Sequence, residues 1–132
     1  MPEAMSEADQ VRLVANEKYP FTHRVLWVLL WDGALRLDEL LSLDVRDIDL
    51  ESRMAFVEYP KEGTPKAVPL SPNARLMLQF AIESRTEGPL FVDGSGQPLA
   101  REAVVDQARK AGVSIHDFRL GGQQERLRRA SS

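Results

Sequence analysis

Apolar residues in the first quarter of the chain recur with the spacing of helices. Three apolar positions after the capping residue Ser6 predict a helix over about residues 7–17. Residues 25–30 are apolar on nearly every side, which predicts a central, buried helix that is capped by Thr22. Gly33 then interrupts the helical pattern. The start of the chain is therefore expected to form two helices, one of them at the centre of the domain.

The pattern in the middle of the chain changes from helix to strand. Leucines spaced at i, i+3 and i+4 from position 37 predict a short third helix. Residues 54–59 and 66–70 are strand candidates, and residues 60–65 between them contain the proline and glycine of a hairpin loop. One antiparallel hairpin is therefore expected here.

The second half of the chain returns to helical patterning. The Ser71-Pro72 pair has the residues of a helix start, a capping serine followed by proline at the first helical position. Residues 101–111 predict another helix, which Gly112 ends, and a last helix begins at Ser114 or Ile115. The fold class is therefore α+β, a mainly helical domain with a small antiparallel β-sheet at its edge.

Composition excludes several classes of protein. The 132 residues suit one domain, and the absence of cysteine excludes a disulfide framework or a thiolate metal site. The longest apolar run, residues 25–31, is far shorter than the ~20 residues that a membrane span needs. The acidic start lacks the pattern of a signal peptide. We therefore expect a cytoplasmic protein with no membrane association, no metal and no small-molecule cofactor.

The distribution of charge modifies what the net charge implies. A formal net charge of −3 counts against strong non-specific DNA binding, which normally accompanies a basic domain. However, residues 119–132 contain four arginines and one acid, whereas acids concentrate in the first nine residues and in residues 38–51. One surface can therefore be basic while another is acidic.

Four basic residues in three separate segments form the candidate site: Arg36, Lys61, His116 and Arg119. Arginine can hold two phosphate oxygens at once and stays charged, and histidine can donate a hydrogen bond or move a proton near neutral pH. His116 and Arg119 are at i and i+3, so a helix would place them on one face. A lysine on a hairpin loop can protonate a leaving oxygen. Together these groups suit transesterification at a phosphate.

The segments that carry these residues resemble the motifs of a known family. Residues 33–36 (Gly-Ala-Leu-Arg), followed two residues later by Glu-Leu, resemble its Thr-Gly-Leu-Arg motif. Lys61 lies seven residues before the valine of a Val-Pro-Leu end, and residues 116–119 (His-Asp-Phe-Arg) resemble a His-Asp-Leu-Arg box. In this order, over about residues 6–119, they resemble the catalytic domain of tyrosine recombinases, the phage integrase family.

The resemblance implies a function and a set of site residues. It implies a DNA-binding domain that takes part in DNA integration or site-specific recombination, with double-stranded DNA as its partner. It also implies that the catalytic residues are Arg36, Lys61, His116 and Arg119.

The sequence departs from the family pattern after Arg119. Leu120 replaces a histidine of the family, and the pair Gly121-Gly122 would cost a helix roughly 1 kcal/mol for each glycine. We therefore expect a truncated, recombinase-like catalytic domain over residues 1–120 and a disordered tail over residues 121–132. No tyrosine follows Arg119, where the family places its nucleophile. This implies that the chain cannot cleave DNA alone.

Two alternatives to this interpretation stay open. In the first, the chain is one subunit of a working recombinase, and a full-length recombinase, as a partner, supplies the tyrosine in trans. In the second, the chain is a structural remnant with no function of its own. Whether the chain is itself an enzyme, a DNA strand-exchange transesterase, is therefore left open.

Three other signals have a simpler interpretation than a functional one. The acidic residues between positions 44 and 51 lack the pattern of a calcium loop and suit a solvated turn. Trp27 and Trp31 are expected to pack in the core instead of stacking on DNA bases. The arginines of the last segment are expected to be solvated, and contact with phosphate is the less favoured alternative: Arg126, Arg128 and Arg129.

Overall fold

The computed structural model describes residues 4–33, 35–58 and 63–131. Within these ranges, six α-helices accompany one three-stranded antiparallel sheet. The helices are α1 (Glu7–Ala15), α2 (Phe21–Asp32), α3 (Leu37–Leu41), α4 (Pro72–Ile82), α5 (Arg101–Lys110) and α6 (Ile115–Ala130). The strands are β1 (Ile48–Asp49), β2 (Met54–Val57) and β3 (Lys66–Pro69), in the order β1-β2-β3. The predicted α+β class is confirmed.

Serine side chains cap three of the helices, and the sequence predicts two of these caps, at Ser6 and Ser71. The Oγ atoms of Ser6, Ser71 and Ser114 accept hydrogen bonds from backbone N–H groups three residues later, at 3.1, 3.1 and 3.2 Å. Each bond satisfies one of the donors that the first turn of a helix leaves without a partner. The prediction that Thr22 caps α2 is wrong, because Pro20 occupies the cap position and makes no side-chain capping bond. Burial of the apolar faces of α2 outweighs the missing cap.

The sheet contains one strand more than the predicted hairpin. β2 pairs with β3 in the register Met54 opposite Pro69 and Val57 opposite Lys66. The additional strand, β1, pairs with the other edge of β2 over only two residues. A segment this short shows no alternation, so its sequence carries no strand signal.

Carboxylates in the acidic segment before β2 hold turns of the backbone. Asp44 accepts a hydrogen bond from the N–H of Arg46 at 2.9 Å, and Asp47 accepts one from the N–H of Asp44 at 2.8 Å. Asp49 does the same for Ser52 at 3.1 Å. These bonds assign the three carboxylates to the turn structure of this segment.

The core is built around α2, as predicted. Seven of its residues are buried, and Trp27 is fully inaccessible to solvent. The Trp27 ring stacks on Phe118 of α6, with ring centroids 5.3 Å apart, and meets Tyr19 edge to face at 5.5 Å. Such ring pairs add to the free energy of burial. The prediction that Trp27 belongs to the core is confirmed, and the aromatic contacts join α2 to α6.

The prediction that residues 121–132 form a disordered tail is wrong for the part that the structure describes. Helix α6 continues to Ala130, and both Gly121 and Gly122 are buried within it. A Cβ atom on Gly121 would overlap the Trp31 ring, and one on Gly122 would overlap the Trp31 carbonyl group. The missing side chains let α6 approach α2 closely. Tertiary packing then offsets the helix cost of the glycines.

The described helices of this domain are too short or too polar to cross a membrane.

Candidate functional site

The first turn of α6 fixes the position of two predicted site residues. Ser114 and Asp117 form a reciprocal capping box, in which the Asp117 carboxylate accepts a hydrogen bond from the N–H of Ser114 at 2.8 Å. Phe118 is fully buried against the core, whereas His116 is exposed and Arg119 is half-buried. Anchoring Phe118 therefore sets which way the neighbouring His116 and Arg119 face.

His116 and Arg119 line one cavity of about 350 Å³ between α6 and the end of α2. The other lining residues are Gly33, Leu120, Gln123 and Arg126. The structure thus brings together two of the four predicted site residues. None of these lining residues is acidic in the part of the chain that the structure describes.

The guanidinium group of Arg119 carries an unused donor. Its Nε atom is buried and makes no hydrogen bond among the described residues. A buried donor without a partner is costly, and a bound ion is one way to satisfy the guanidinium group that carries it. An anionic oxygen is the chemical group that best satisfies a buried guanidinium N–H. The cavity therefore suits an oxyanion.

Arg36 lies at the start of α3, where its side chain is exposed. It is three residues from Gly33, which lines the cavity, so the chain limits their Cα separation to about 11 Å. Lys61 lies outside the described residues. The convergence of Arg36, Lys61, His116 and Arg119 on one site stays a prediction.

Glu39 connects the start of α3 to the hairpin that precedes α4. Its Oε1 atom accepts a hydrogen bond from the backbone N–H of Arg36 at 2.9 Å. The Nζ atom of Lys66, on β3, lies 3.3 Å from Oε1 and 3.1 Å from Oε2. The Glu39 side chain is buried. One carboxylate thus ties the backbone at Arg36 to β3, the strand that follows Lys61 in the sequence.

The environment of Glu39 stabilises its ionised form. Burial opposes ionisation, but the Arg36 N–H and the Lys66 ammonium group outweigh it and hold the pKa of Glu39 below its ordinary value. The folded protein therefore binds a proton at Glu39 less readily than the unfolded chain does. Stability from this group is present above its ordinary pKa and is lost as the pH falls through the lower, folded value.

We expect Glu39→Gln to lower the free energy of unfolding at neutral pH by about 1–3 kcal/mol, since it removes a buried, charged acceptor. The difference from wild type should shrink as the pH falls below about 4.5. Urea denaturation at a series of pH values measures both effects. Glu102→Gln, at an exposed position of α5, is the matched control. A difference that stays constant down to pH 3 would contradict this role for the Glu39 carboxylate.

Two further polar residues of the cavity, Gln123 and Arg126, are outside the site that the sequence predicts. With His116 and Arg119 they have the spacing i, i+3, i+7 and i+10, which places all four on one face of a helix. This spacing could have identified them. It went unused because the two glycines predicted that the helix would end.

Comparison with known proteins identifies the family. The sequence profile of the phage integrase family matches residues 3–123. Tyrosine recombinase XerC of Pelobacter propionicus is 32% identical over 107 residues, which are 78% of this chain and 34% of the relative. Tyrosine recombinase XerD of Oceanobacillus iheyensis is 30% identical over 115 residues, 77% of this chain and 38% of the relative. This chain belongs to the phage integrase family, whose curated relatives here are tyrosine recombinases.

Solved structures support the same fold. The crystal structure of XerA recombinase has a TM-score of 0.83 and 20% identity, over 98% of this chain and 50% of that one. A lambda integrase dimer bound to a COC′ core site has a TM-score of 0.72 and 19% identity, over 91% of this chain and 39% of that one. The chain spans about a third of the length of these curated relatives and about half of the XerA chain.

Proposed function

We propose that this chain is the phosphate-binding part of a tyrosine recombinase and binds double-stranded DNA during integration or site-specific recombination. The observation that carries the proposal is the cavity at the start of α6. There, His116 and Arg119 lie together, and the Arg119 Nε atom is buried without a partner among the described residues. A DNA phosphodiester supplies anionic oxygens for the guanidinium and imidazole groups that line this cavity.

The structural neighbours support DNA as the ligand. One is a lambda integrase dimer bound to a COC′ core site, and another is the Tn1549 transposon integrase in complex with circular intermediate DNA. The second has a TM-score of 0.73 over 98% of this chain. Their shared fold supports the proposal that DNA lies on the corresponding face of this chain. We propose the cytoplasm as the compartment of this chain, because its proposed ligand is DNA.

Within this proposal each predicted residue has a chemical role. Arg36 and Arg119 hold the two non-bridging oxygens of one phosphate and stabilise the negative charge that grows on them. His116 donates a hydrogen bond to the same group or moves a proton. Lys61 protonates the leaving oxygen. In a tyrosine recombinase the attacking group is a tyrosine hydroxyl, and the pocket acts on the phosphate that this hydroxyl attacks.

DNA binding measured at several salt concentrations tests the proposal. We expect weak binding of a fluorescent duplex, with a log–log salt slope of roughly −3, because three or four phosphate contacts each contribute about −0.9. Arg119→Gln should weaken binding and make the slope shallower by about 0.9. It should leave the melting temperature nearly unchanged, since the Nε atom makes no hydrogen bond among the described residues.

Arg109→Gln is the charge-matched control for this test. Arg109 is exposed on α5, where its guanidinium lies 3.8 Å from the Asp106 carboxylate, and it does not line the cavity. The control should keep the wild-type slope. Equal, unchanged binding in Arg36→Gln, Arg119→Gln and the control would refute the proposed phosphate site.

A further inference from the structure

The polar face of α6 extends beyond the two residues that resemble the family motif. Below Arg119, this face carries Gln123 and then Arg126, and both line the same cavity as His116 and Arg119. Arg119 and Arg126 are seven residues apart, which is about two turns or 10.5 Å along the helix axis. The cavity is therefore lined by two guanidinium groups from one helix.

Arg126 is held in the cavity wall by contacts with the end of α2. Its Nη1 atom donates a hydrogen bond to the carbonyl oxygen of Trp31 at 2.6 Å. Its guanidinium lies against Gly33, whose φ of 77° and lack of a Cβ atom leave room for it. A guanidinium has five N–H donors, and the Trp31 carbonyl uses one. The contact orients the group and leaves donors for a ligand.

The other two arginines at the end of α6 are engaged elsewhere. Arg128 pairs with Glu125 on the same helix. Arg129 pairs with Glu125 and with Glu7 of α1. Neither lines the cavity. Of the three arginines that the sequence groups together, the helix thus places one in the cavity and two in surface ion pairs with Glu125 or Glu7.

An acidic residue that interacts with Arg126 is already engaged in another contact. Asp32, at the end of α2, interacts electrostatically with Arg126, and one of its carboxylate oxygens accepts a hydrogen bond from Ser71 at 2.9 Å. Asp32 does not line the cavity. Positive charge on the cavity wall is therefore only partly offset.

We propose that Arg126 is an additional phosphate-binding residue, which contacts the DNA backbone beside the phosphate that Arg119 holds. This inference rests on the proposed function, because the phosphate is that of bound DNA. It adds a residue outside the motifs that the chain shares with its family. It also gives the helix beyond Arg119 a part in binding in addition to its packing against α2.

The test compares Arg126→Gln with Arg128→Gln, which changes the same residue type on the same helix at an exposed, ion-paired position. Affinity for a fluorescent duplex is measured from low to moderate salt. We expect Arg126→Gln to weaken binding roughly tenfold, as for one charged hydrogen bond, and to make the salt slope shallower by about 0.9. Arg128→Gln should keep the wild-type slope. Arg126→Lys retains the positive charge and should have a slope close to that of wild type.

A purely structural role for Arg126 predicts a different result. Loss of its bond to Trp31 would then lower the melting temperature while the salt slope stayed at the wild-type value, and that outcome would overturn the inference. If Arg126→Gln binds as Arg128→Gln does while Arg119→Gln is weakened, the inference fails and the proposed function stands. If Arg119→Gln is also unaffected, the proposed function itself fails.

Discussion

Phe118→Ala is expected to lower the free energy of unfolding by about 3–5 kcal/mol, the range for removing a buried aromatic ring. Phe118 is fully buried and stacks on Trp27, with the ring planes inclined at 17°. These two rings join α2 to α6. Removing the Phe118 ring therefore removes apolar contacts between the helices and leaves a cavity in the core.

Urea denaturation followed by tryptophan fluorescence measures this loss. Leu127→Ala is the matched control, because Leu127 lies on the same helix and is 61% exposed. The control should change stability by no more than about 0.5 kcal/mol. A loss below about 1 kcal/mol for Phe118→Ala would mean that the two helices do not depend on this contact.

The same substitution should also affect the proposed site. Phe118 lies between His116 and Arg119 in sequence but faces the core while they face the cavity. Phe118→Leu keeps an apolar group in the core and should retain more of the DNA affinity than Phe118→Ala. The apolar residue of the His-Asp-Phe-Arg segment thus positions the two polar ones.

Local chemistry explains which parts of the fold could be predicted from sequence. Serine caps at Ser6 and Ser71 need only backbone N–H groups a few residues away, and they are present as predicted. Central burial of α2 follows from its nearly continuous apolar run. The hairpin of β2 and β3 follows from two strand-like runs around a turn.

Features that depend on tertiary contacts could not be predicted in this way. The two glycines of α6 predict a helix end when they are considered alone. In the structure they allow close approach to Trp31, and the helix continues. The same error removed Arg126 from the predicted site, because its position in the cavity requires the helix to reach residue 126. The shared helix face of His116 and Arg119 could be predicted because their spacing fits within one turn of helix.

The position of Tyr19 leads to the last prediction. Tyr19 is the one tyrosine within the described residues; the second tyrosine of the sequence, Tyr59, lies outside them. The Tyr19 ring packs edge to face on the buried Trp27. It lines a different cavity, with Asp9 and Asp117, from the one that Arg119 lines. Its hydroxyl is therefore not placed to attack a phosphate held by Arg119.

A chain of these 132 residues, incubated alone with a nicked suicide duplex, should give no covalent protein–DNA adduct on a denaturing gel. A phosphate pocket accelerates strand cleavage only when a nucleophile is positioned in it. A tyrosine-bearing recombinase on the same substrate is the positive control. An adduct from this chain alone, lost in Tyr19→Phe or Tyr59→Phe, would contradict the prediction and identify the attacking group.

An adduct that forms only when the chain is mixed with a binding-deficient, tyrosine-bearing partner would favour a nucleophile supplied in trans. In that case Arg119→Gln in this chain should abolish the adduct, because the phosphate would be held here while the hydroxyl came from the partner.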